Sequence, residues 1–365
     1  MDFAFSEEQE LLRSSARDFL RDRSAPERVA ELADSDAGWD PATWKQITEL
    51  GWVGLSVPED RGGSGMSLLD EAVLFEETGR ALYPGPFLST VVLAQPALGA
   101  SADGFSAVLE AGGAATLAWV EPGGVSSLAE LDGVKTEARA SGDEWKLTGE
   151  KVLVPDLALT SNVVVVARSA DGLGLWLVSR PDDFKTQGTV DGTRRFGRFE
   201  LDGDPGTLLV GSDEVGDVLE QIRLRSLAAL ALEAVGVAQF ALDSAAAYVK
   251  ERKQFDKPIG TYQAVSHQVA DIYVDTELAR SLAYWAAWCV AEGDRQASTA
   301  ALAAKAFAAD AAVKACERSI QVHGGIGFTY EHTLHRYYRR AQWIQSFDGS
   351  GRVHRAAVAA ALLDA

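Results

Sequence analysis

The segment NVVVVARSADG, Asn162–Gly172, sets the character of the chain's middle third. Asn162-Val163-Val164-Val165-Val166 is a β-branched run, and Ala170-Asp171-Gly172 ends it with a turn signal. Another β-rich run, Leu173–Val178, follows at once and leaves no room for a crossover helix. That argues against a parallel βαβ sheet and predicts a small antiparallel barrel or sandwich. Further short runs at Thr116–Val120, Trp145–Leu147 and Arg198–Leu201 alternate with Gly, Asp and Pro clusters, which sets a middle domain at residues 114–211.

The flanks have a helical period. Ser6, followed by Glu7, Glu8 and Gln9, opens a helix in which Leu11, Leu12, Ala16, Phe19 and Leu20 recur at helical spacing. Trp44, Ile47, Leu50 and Val53 continue the pattern, Pro58–Gly65 interrupts it, and Ser67 to Leu82 resumes it, giving a helical domain over residues 1–113. Beyond residue 212, Asp217–Lys253 reads as one long helix with an Ala/Leu face. Tyr262–Glu292, Ser298–His323, Thr333–Ile344 and Val353–Leu363 complete a bundle over 212–365. The expected fold class is α+β multidomain: an N-terminal helical domain, a middle antiparallel β barrel or sandwich, and a C-terminal four-helix bundle.

Composition narrows the function. With 365 residues, 47% hydrophobic, the chain has ample apolar material for packed cores and is not disordered or collagen-like. Its 34 basic and 53 acidic residues give a net charge of −19. Such a surface repels nucleic acid and anionic lipid, so neither is an expected partner, and an anionic ligand needs a local basic cluster. Cys289 and Cys316 lie in Ala-rich apolar stretches and read as buried thiols in a reducing compartment, with no metal-ligand spacing around them. No export signal is expected at MDFAFSEEQELL, nor any apolar run of bilayer-spanning length, so the expected location is cytoplasmic.

Two stretches stand out against this background. Gly324–Gly327 (GGIG) is Gly-rich, but a long helix precedes it where a dinucleotide fingerprint requires a strand. It reads as a helix-terminating cap or as a close backbone approach to a ligand. His323-Gly324-Gly325 as a hydrolase oxyanion loop would need a G-x-S-x-G elbow, and the sequence has none. Between Glu331 and Arg355 lie five arginines and three histidines, against Glu331 and Asp348 alone. Arg252, ahead of Gln254-Phe255-Asp256-Lys257-Pro258-Ile259, puts a planar cation beside an aromatic at a helix–loop junction. It suits either a solvated face or a phosphate.

In these stretches the sequence resembles the acyl-CoA dehydrogenases. The residues that carry the resemblance are Arg252-Lys-Gln-Phe-Asp-Lys-Pro-Ile with Gln263, Gln321-Val-His-Gly-Gly-Ile-Gly-Phe, Phe347-Asp348-Gly349-Ser350, Glu121-Pro122-Gly123 and the opening Phe5-Ser6-Glu7-Glu8-Gln9. The resemblance implies FAD as cofactor and an acyl-CoA thioester as substrate. It also implies removal of an α-proton by a carboxylate, an electron-transfer flavoprotein or similar acceptor, and a homo- or heterotetramer. The usual base is a Glu before Gly-Thr; the matching residue is Asp348, whose reach is shorter by about 1.5 Å. A helix N-cap or a partner for Arg352 is its alternative role. Some relatives carry the base where this chain has Ser226, which cannot serve, and Glu233 lies two turns further on. By the same resemblance Arg252 and Gln254 face the FAD pyrophosphate and Phe255 and Gln263 the adenosine. Gln321, Val322, His323, Gly324 and Gly325 approach with backbone groups, all across a subunit interface. Ser350 and Arg352 lie near the cofactor of the chain's own site, and Ser126, Arg225, Ser226 and Gly349 on the substrate side.

Around the flavin ring the sequence departs from the family pattern. Thr-Glu-Pro-Gly-x-Gly-Ser-Asp becomes Val120-Glu121-Pro122-Gly123-Gly124-Val125-Ser126-Ser127, and Trp-Ile-Thr becomes Leu153-Val154-Pro155. Two ring-facing hydroxyls and a stacking aromatic are replaced, which predicts either a variant cradle or a subunit that completes the site of a related partner chain. A dehydrogenase tethered to a carrier protein is a further alternative. The small residues Ala228, Ala229 and Ala231 suit a wide acyl group such as a steroid side chain, or close helix packing.

Overall fold

The computed structural model describes residues 5–101, 104–109, 113–124, 126–142 and 144–363. Six helices come first: α1 (Glu7–Arg23), α2 (Pro26–Asp34), α3 (Pro41–Glu49), α4 (Leu68–Arg80), α5 (Gln95–Ala100, entered from a π-helical stretch Leu88–Ala94) and α6 (Gly104–Leu109). Seven strands follow: β1 (Ala115–Ala118), β2 (Glu137–Ser141), β3 (Glu144–Pro155), β4 (Asn162–Ser169), β5 (Gly172–Ser179), β6 (Lys185–Gln187) and β7 (Phe196–Val210). The chain then runs through α7 (Val215–Glu251), a short hairpin of β8 (Lys253–Gln254) and β9 (Lys257–Pro258), and α8 (Gln263–Ala291). It ends in α9 (Ala297–His323), α10 (Leu334–Ser346) and α11 (Gly351–Leu363). Helical N- and C-terminal regions thus flank a β-rich centre.

By its internal contacts the chain forms two compact units. One comprises residues 1–31, 68–83 and 227–365; the other comprises 32–67 and 84–226, the division falling within α7.

The second unit holds the large sheet. Its order is β1-β4-β2-β3-β7-β5, and a further β4–β5 pairing closes β4, β2, β3, β7 and β5 into a small ring. Val163 and Val165 pack inside it with Leu147, Val154, Trp176, Phe199 and Leu201. Val164 and Val166 on the opposite face are equally buried, which is why the run is apolar at every position rather than at alternate ones. The antiparallel expectation needs one correction: β1 and β2 both pair with β4 in parallel, while β2–β3, β3–β7, β4–β5, β5–β7 and β6–β7 are antiparallel. β1 and β4 are joined by a long excursion through β2 and β3, so no hairpin constrains their directions.

The first unit is helical. Ser6 and Gln9 form a reciprocal capping box at the start of α1. α9 packs against α8, α10 and α11. Ala300, Ala304, Ala308, Ala311, Ala312 and Ala315 are all fully or nearly fully buried and share one face of the helix, while Lys314, Glu317 and Gln321 lie exposed on the opposite face. α4 and α7 cross in near-contact: a Cβ on Gly79 would lie 2.2 Å from the Glu233 carbonyl oxygen, and one on Gly236 2.0 Å from that of Glu76. Any larger residue at either position forces the helices apart.

One sequence expectation fails here. Among the described residues, α7 is long and apolar enough to cross a bilayer, yet 78% of its most apolar window is buried inside the protein, as in a core helix.

Candidate active site

Asp348 sits in the turn joining α10 to α11. The carboxyl residue is 5% exposed and its backbone is left-handed, with φ +52°. A non-glycine residue in that region is strained by about 1–2 kcal/mol, so the surroundings must hold it there. They do so through the carbonyls. Lys305, fully buried on α9, donates from Nζ to the carbonyls of Phe347 (2.8 Å), Gly349 (2.7 Å) and Gln345 (3.3 Å). Nε2 of His354 on α11 lies 2.9 Å from the Asp348 carbonyl. Gly349 has φ +97°, and a Cβ there would meet His354 Nε2 at 2.9 Å, so the position demands glycine on two grounds. Burial pushes the Lys305 ammonium down to about 8, against the opposing pull of Asp348 and Asp310. Ser350 is exposed and its carbonyl accepts from His354 N–H; Arg352 is exposed on the first turn of α11. Lys305 and His354 escaped the sequence reading. The legible signal was a lone lysine inside the otherwise apolar stretch Ala300–Ala309.

Glu233, the second carboxylate considered, is committed elsewhere. It forms a buried ion pair with Arg340 of α10, both side chains being almost inaccessible to water. The structure thus commits Glu233 to Arg340 in the packed core.

Arg225 and Ser226 lie on α7 in the β-containing unit. Arg225 is buried and donates to Ser56 Oγ, the Val91 carbonyl and Gln95 Oε1. Ser226 is fully buried and its hydroxyl has no hydrogen-bond partner among the described residues. In the same unit Ser126 is exposed and its carbonyl accepts from Trp119 Nε1. Val125 lies outside the described residues.

Glu121 anchors the segment after β1. Its carboxylate accepts from Lys151 Nζ (2.8 Å), from the Thr136 hydroxyl (2.6 Å) and from the N–H groups of Lys135 and Thr136. Burial raises its pKa, but these donors outweigh burial and hold it at about 2; burial lowers Lys151 to about 8 against the pull of Glu121. Because the native carboxyl titrates below its ordinary 4.5, it stabilises the fold above that pH and loses the contribution as pH falls towards 2. A Glu121→Gln variant is therefore expected to be less stable than the parent at pH 7, with the gap between their urea midpoints closing between about pH 4.5 and 2.

The positions expected to face the flavin ring differ among themselves. Val120 and Pro155 are buried, and the Pro155 carbonyl accepts from Thr116 Oγ1. Leu153 is 39% exposed, with φ +51° at a register shift between β3 and β7, and its N–H donates to Gln187 Oε1. The sheet thus presents an apolar leucine at a strained bulge.

The residues expected on the nucleotide side fall at the exposed end of α7, on the β8–β9 hairpin, at the start of α8 and at the α9 terminus. Arg252, Gln254, Gln263, Gln321 and Gly325 are exposed. The two-residue hairpin turn consists of Phe255 and Asp256, at φ +51° and +65°, without a glycine. Phe255 is 88% exposed at its tip. Tyr262 braces the loop by donating to the Gln254 carbonyl. Val322 and His323 are buried, and His323 stacks on Tyr248 with its Nδ1 2.7 Å from the Ser319 carbonyl. Burial lowers its pKa, and the ring is taken up in packing rather than turned outward. Gly324 ends α9 at φ +65°, ψ −137°, a conformation open to glycine.

Two family models match the sequence: "Acyl-CoA dehydrogenase, N-terminal domain" over residues 6–102 and "Acyl-CoA dehydrogenase, C-terminal domain" over residues 225–363. The chain is 32% identical over 342 residues to acyl-CoA dehydrogenase IpdE2 of Mycolicibacterium smegmatis, covering 92% of this chain and 93% of that protein. It is 31% identical to the probable acyl-CoA dehydrogenase YngJ of Bacillus subtilis over 100% of both. Among solved structures it is similar to a variant of the Tcur3481-Tcur3483 steroid ACAD, with TM-score 0.84, 30% identity and 98% of each chain covered. It is also similar to the ChsE4-ChsE5 complex from Mycobacterium tuberculosis, with TM-score 0.87, 26% identity and 100% of each chain covered. These full-length matches, together with the placement of Asp348 between α10 and α11, lead to one conclusion: the chain belongs to the acyl-CoA dehydrogenase family.

Proposed function

We propose that the protein catalyses α,β-dehydrogenation of an acyl-CoA thioester to the trans-2-enoyl-CoA, with Asp348 as the base. The observation that carries this reading is the Asp348 turn: a buried carboxylate in a strained backbone, held by a buried lysine and a histidine at the position of the family's base. Members of the family are FAD-binding flavoproteins. The exposed donors Arg252, Gln254, Gln263 and Gln321 and the outward Phe255 suit the nucleotide half of that cofactor, from a neighbouring subunit, while Ser350 and Arg352 serve the chain's own site. Leu153 offers the ring an apolar face without a hydroxyl. When bound, FAD supplies the acceptor for the β-hydrogen as hydride. Asp348 removes the α-proton, and its own N–H donates to the thioester carbonyl, which acidifies that proton. The resemblance assigns Ser126, Arg225, Ser226 and Gly349 to the substrate side. An electron-transfer flavoprotein is the acceptor partner, and the steroid relatives favour a bulky acyl group.

A second reading concerns assembly. The nucleotide side is intact, but Val120, Leu153 and Pro155 weaken the ring side. The chain therefore pairs with a related chain as an α2β2 heterotetramer, in keeping with the two-protein names of its structural relatives. The visible absorption spectrum of the purified chain, alone and co-expressed with a related dehydrogenase chain, tests both readings. Flavin bands bleached anaerobically by an acyl-CoA support the activity. One FAD per chain in a self-sufficient tetramer would overturn the heteromer. Arg252→Ala is expected to lower the flavin retained by the assembled oligomer several-fold at limiting FAD; unchanged occupancy returns Arg252 to a solvated surface role.

A further inference from the structure

We infer that Lys305 is a positioning residue for α-proton removal, fixing the carbonyls of the Phe347–Gly349 turn from beneath so that the Asp348 carboxylate and N–H face the thioester. The inference rests on the reading of Asp348 as the base.

A lysine with no water around it is costly unless its charge is answered. Among the described residues, all the hydrogen bonds of Lys305 go to carbonyls of one short segment, Gln345, Phe347 and Gly349. Three donors meet three acceptors, so the ammonium is saturated by the turn itself. Ordinary helix termination needs no such device: glycine or a surface cation satisfies the last carbonyls of most helices.

The geometry of the peptide unit gives the arrangement a direction. A trans amide places C=O and N–H on opposite sides of the chain. With the Phe347 carbonyl drawn to Lys305 at 2.8 Å, the N–H of Asp348 points away from α9. A cation on that carbonyl also polarises the amide and makes its N–H a stronger donor. His354 holds the next carbonyl and Lys305 the one after, so three consecutive carbonyls are tied down. This keeps Asp348 and Gly349 at φ +52° and +97° when a relaxed turn would turn the carboxylate elsewhere. An aspartate has one methylene less than a glutamate with which to absorb an error in aim, so this chain depends more heavily on the turn being held.

The experiment measures deuterium incorporation at the α-carbon of octanoyl-CoA in D2O by the assembled, FAD-loaded protein with its flavin kept reduced. Steady-state kcat and KM and the flavin content are recorded alongside. Lys305→Met is expected to slow exchange and kcat by about 10- to 100-fold with KM and flavin content within twofold. Lys305→Arg, which returns a cation beneath the turn, is expected to recover part of the loss. Exchange within twofold of the parent in Lys305→Met, or a loss in which flavin content and KM change in proportion, overturns the inference. If Lys305→Met does not accumulate in folded form, Lys305→Gln carries the test, and a parental exchange rate in it overturns the inference equally. Asp348→Asn separates the two claims. If it exchanges normally, Asp348 is not the base and both readings fall; if it is inert while the Lys305 variants are normal, only the positioning role falls.

Discussion

Asp348→Asn is expected to slow α-proton exchange and anaerobic flavin bleaching by about 10²- to 10⁴-fold, with fold and bound flavin unchanged. The amide is nearly isosteric and keeps the turn, since the contacts that define the turn run through backbone carbonyls held by Lys305 and His354. What it removes is the basic carboxylate oxygen that the proposed mechanism assigns to the proton. Asp348→Glu provides the complementary result. The turn geometry belongs to the backbone, so the longer side chain is expected to remain active, with its extra reach of about 1.5 Å changing which acyl chains are preferred. Bleaching by substrate at the parental rate in Asp348→Asn would remove Asp348 from the mechanism. The same measurement on Glu233→Gln, in protein shown to be folded, is expected to give near-parental exchange, because the structure commits that carboxylate to Arg340.

What the sequence disclosed follows from how local each feature is. Val163–Val166 is legible because both faces of β4 are buried, which leaves an unbroken β-branched run. β2, Glu137–Ser141, is not: only Ala138 of its five residues is buried, so it carries no apolar pattern and is recruited by its neighbours. The parallel pairing of β1 with β4 is a choice of partner across more than forty residues, which no local signal encodes. The turn Phe255-Asp256 lacks the Asn-Gly or Asp-Gly signature of a two-residue hairpin, so its left-handed backbone was invisible until seen. The site divides the same way. Asp348 and Arg252 were singled out as members of motifs. Lys305, His354 and the Arg340–Glu233 pair, which hold the framework in place, sit on other helices and become visible once the helices are packed. A single lysine within an alanine-rich helix was the nearest thing to a clue.

That buried pair predicts the largest effect on stability. Arg340→Met leaves the Glu233 carboxylate 4% exposed and without its guanidinium, at the level where α4 and α7 touch through Gly79 and Gly236. The helices pack so closely there that no space is left for water beside the carboxylate: a Cβ on Gly79 would lie 2.2 Å from the Glu233 carbonyl. Breaking one partner of a buried pair typically costs about 3–5 kcal/mol, since the orphaned charge keeps its desolvation penalty and loses its compensation. Glu233→Gln is expected to cost less, because Arg340 then faces a neutral acceptor of the same shape. The double variant Arg340→Met/Glu233→Leu removes both charges and is expected to recover most of the loss, as an apolar replacement of similar volume often does. Urea midpoints of the single and double variants measure the coupling. A double variant no more stable than Arg340→Met would mean that the cost lies in the lost volume and packing of the arginine, with no contribution from an unanswered charge.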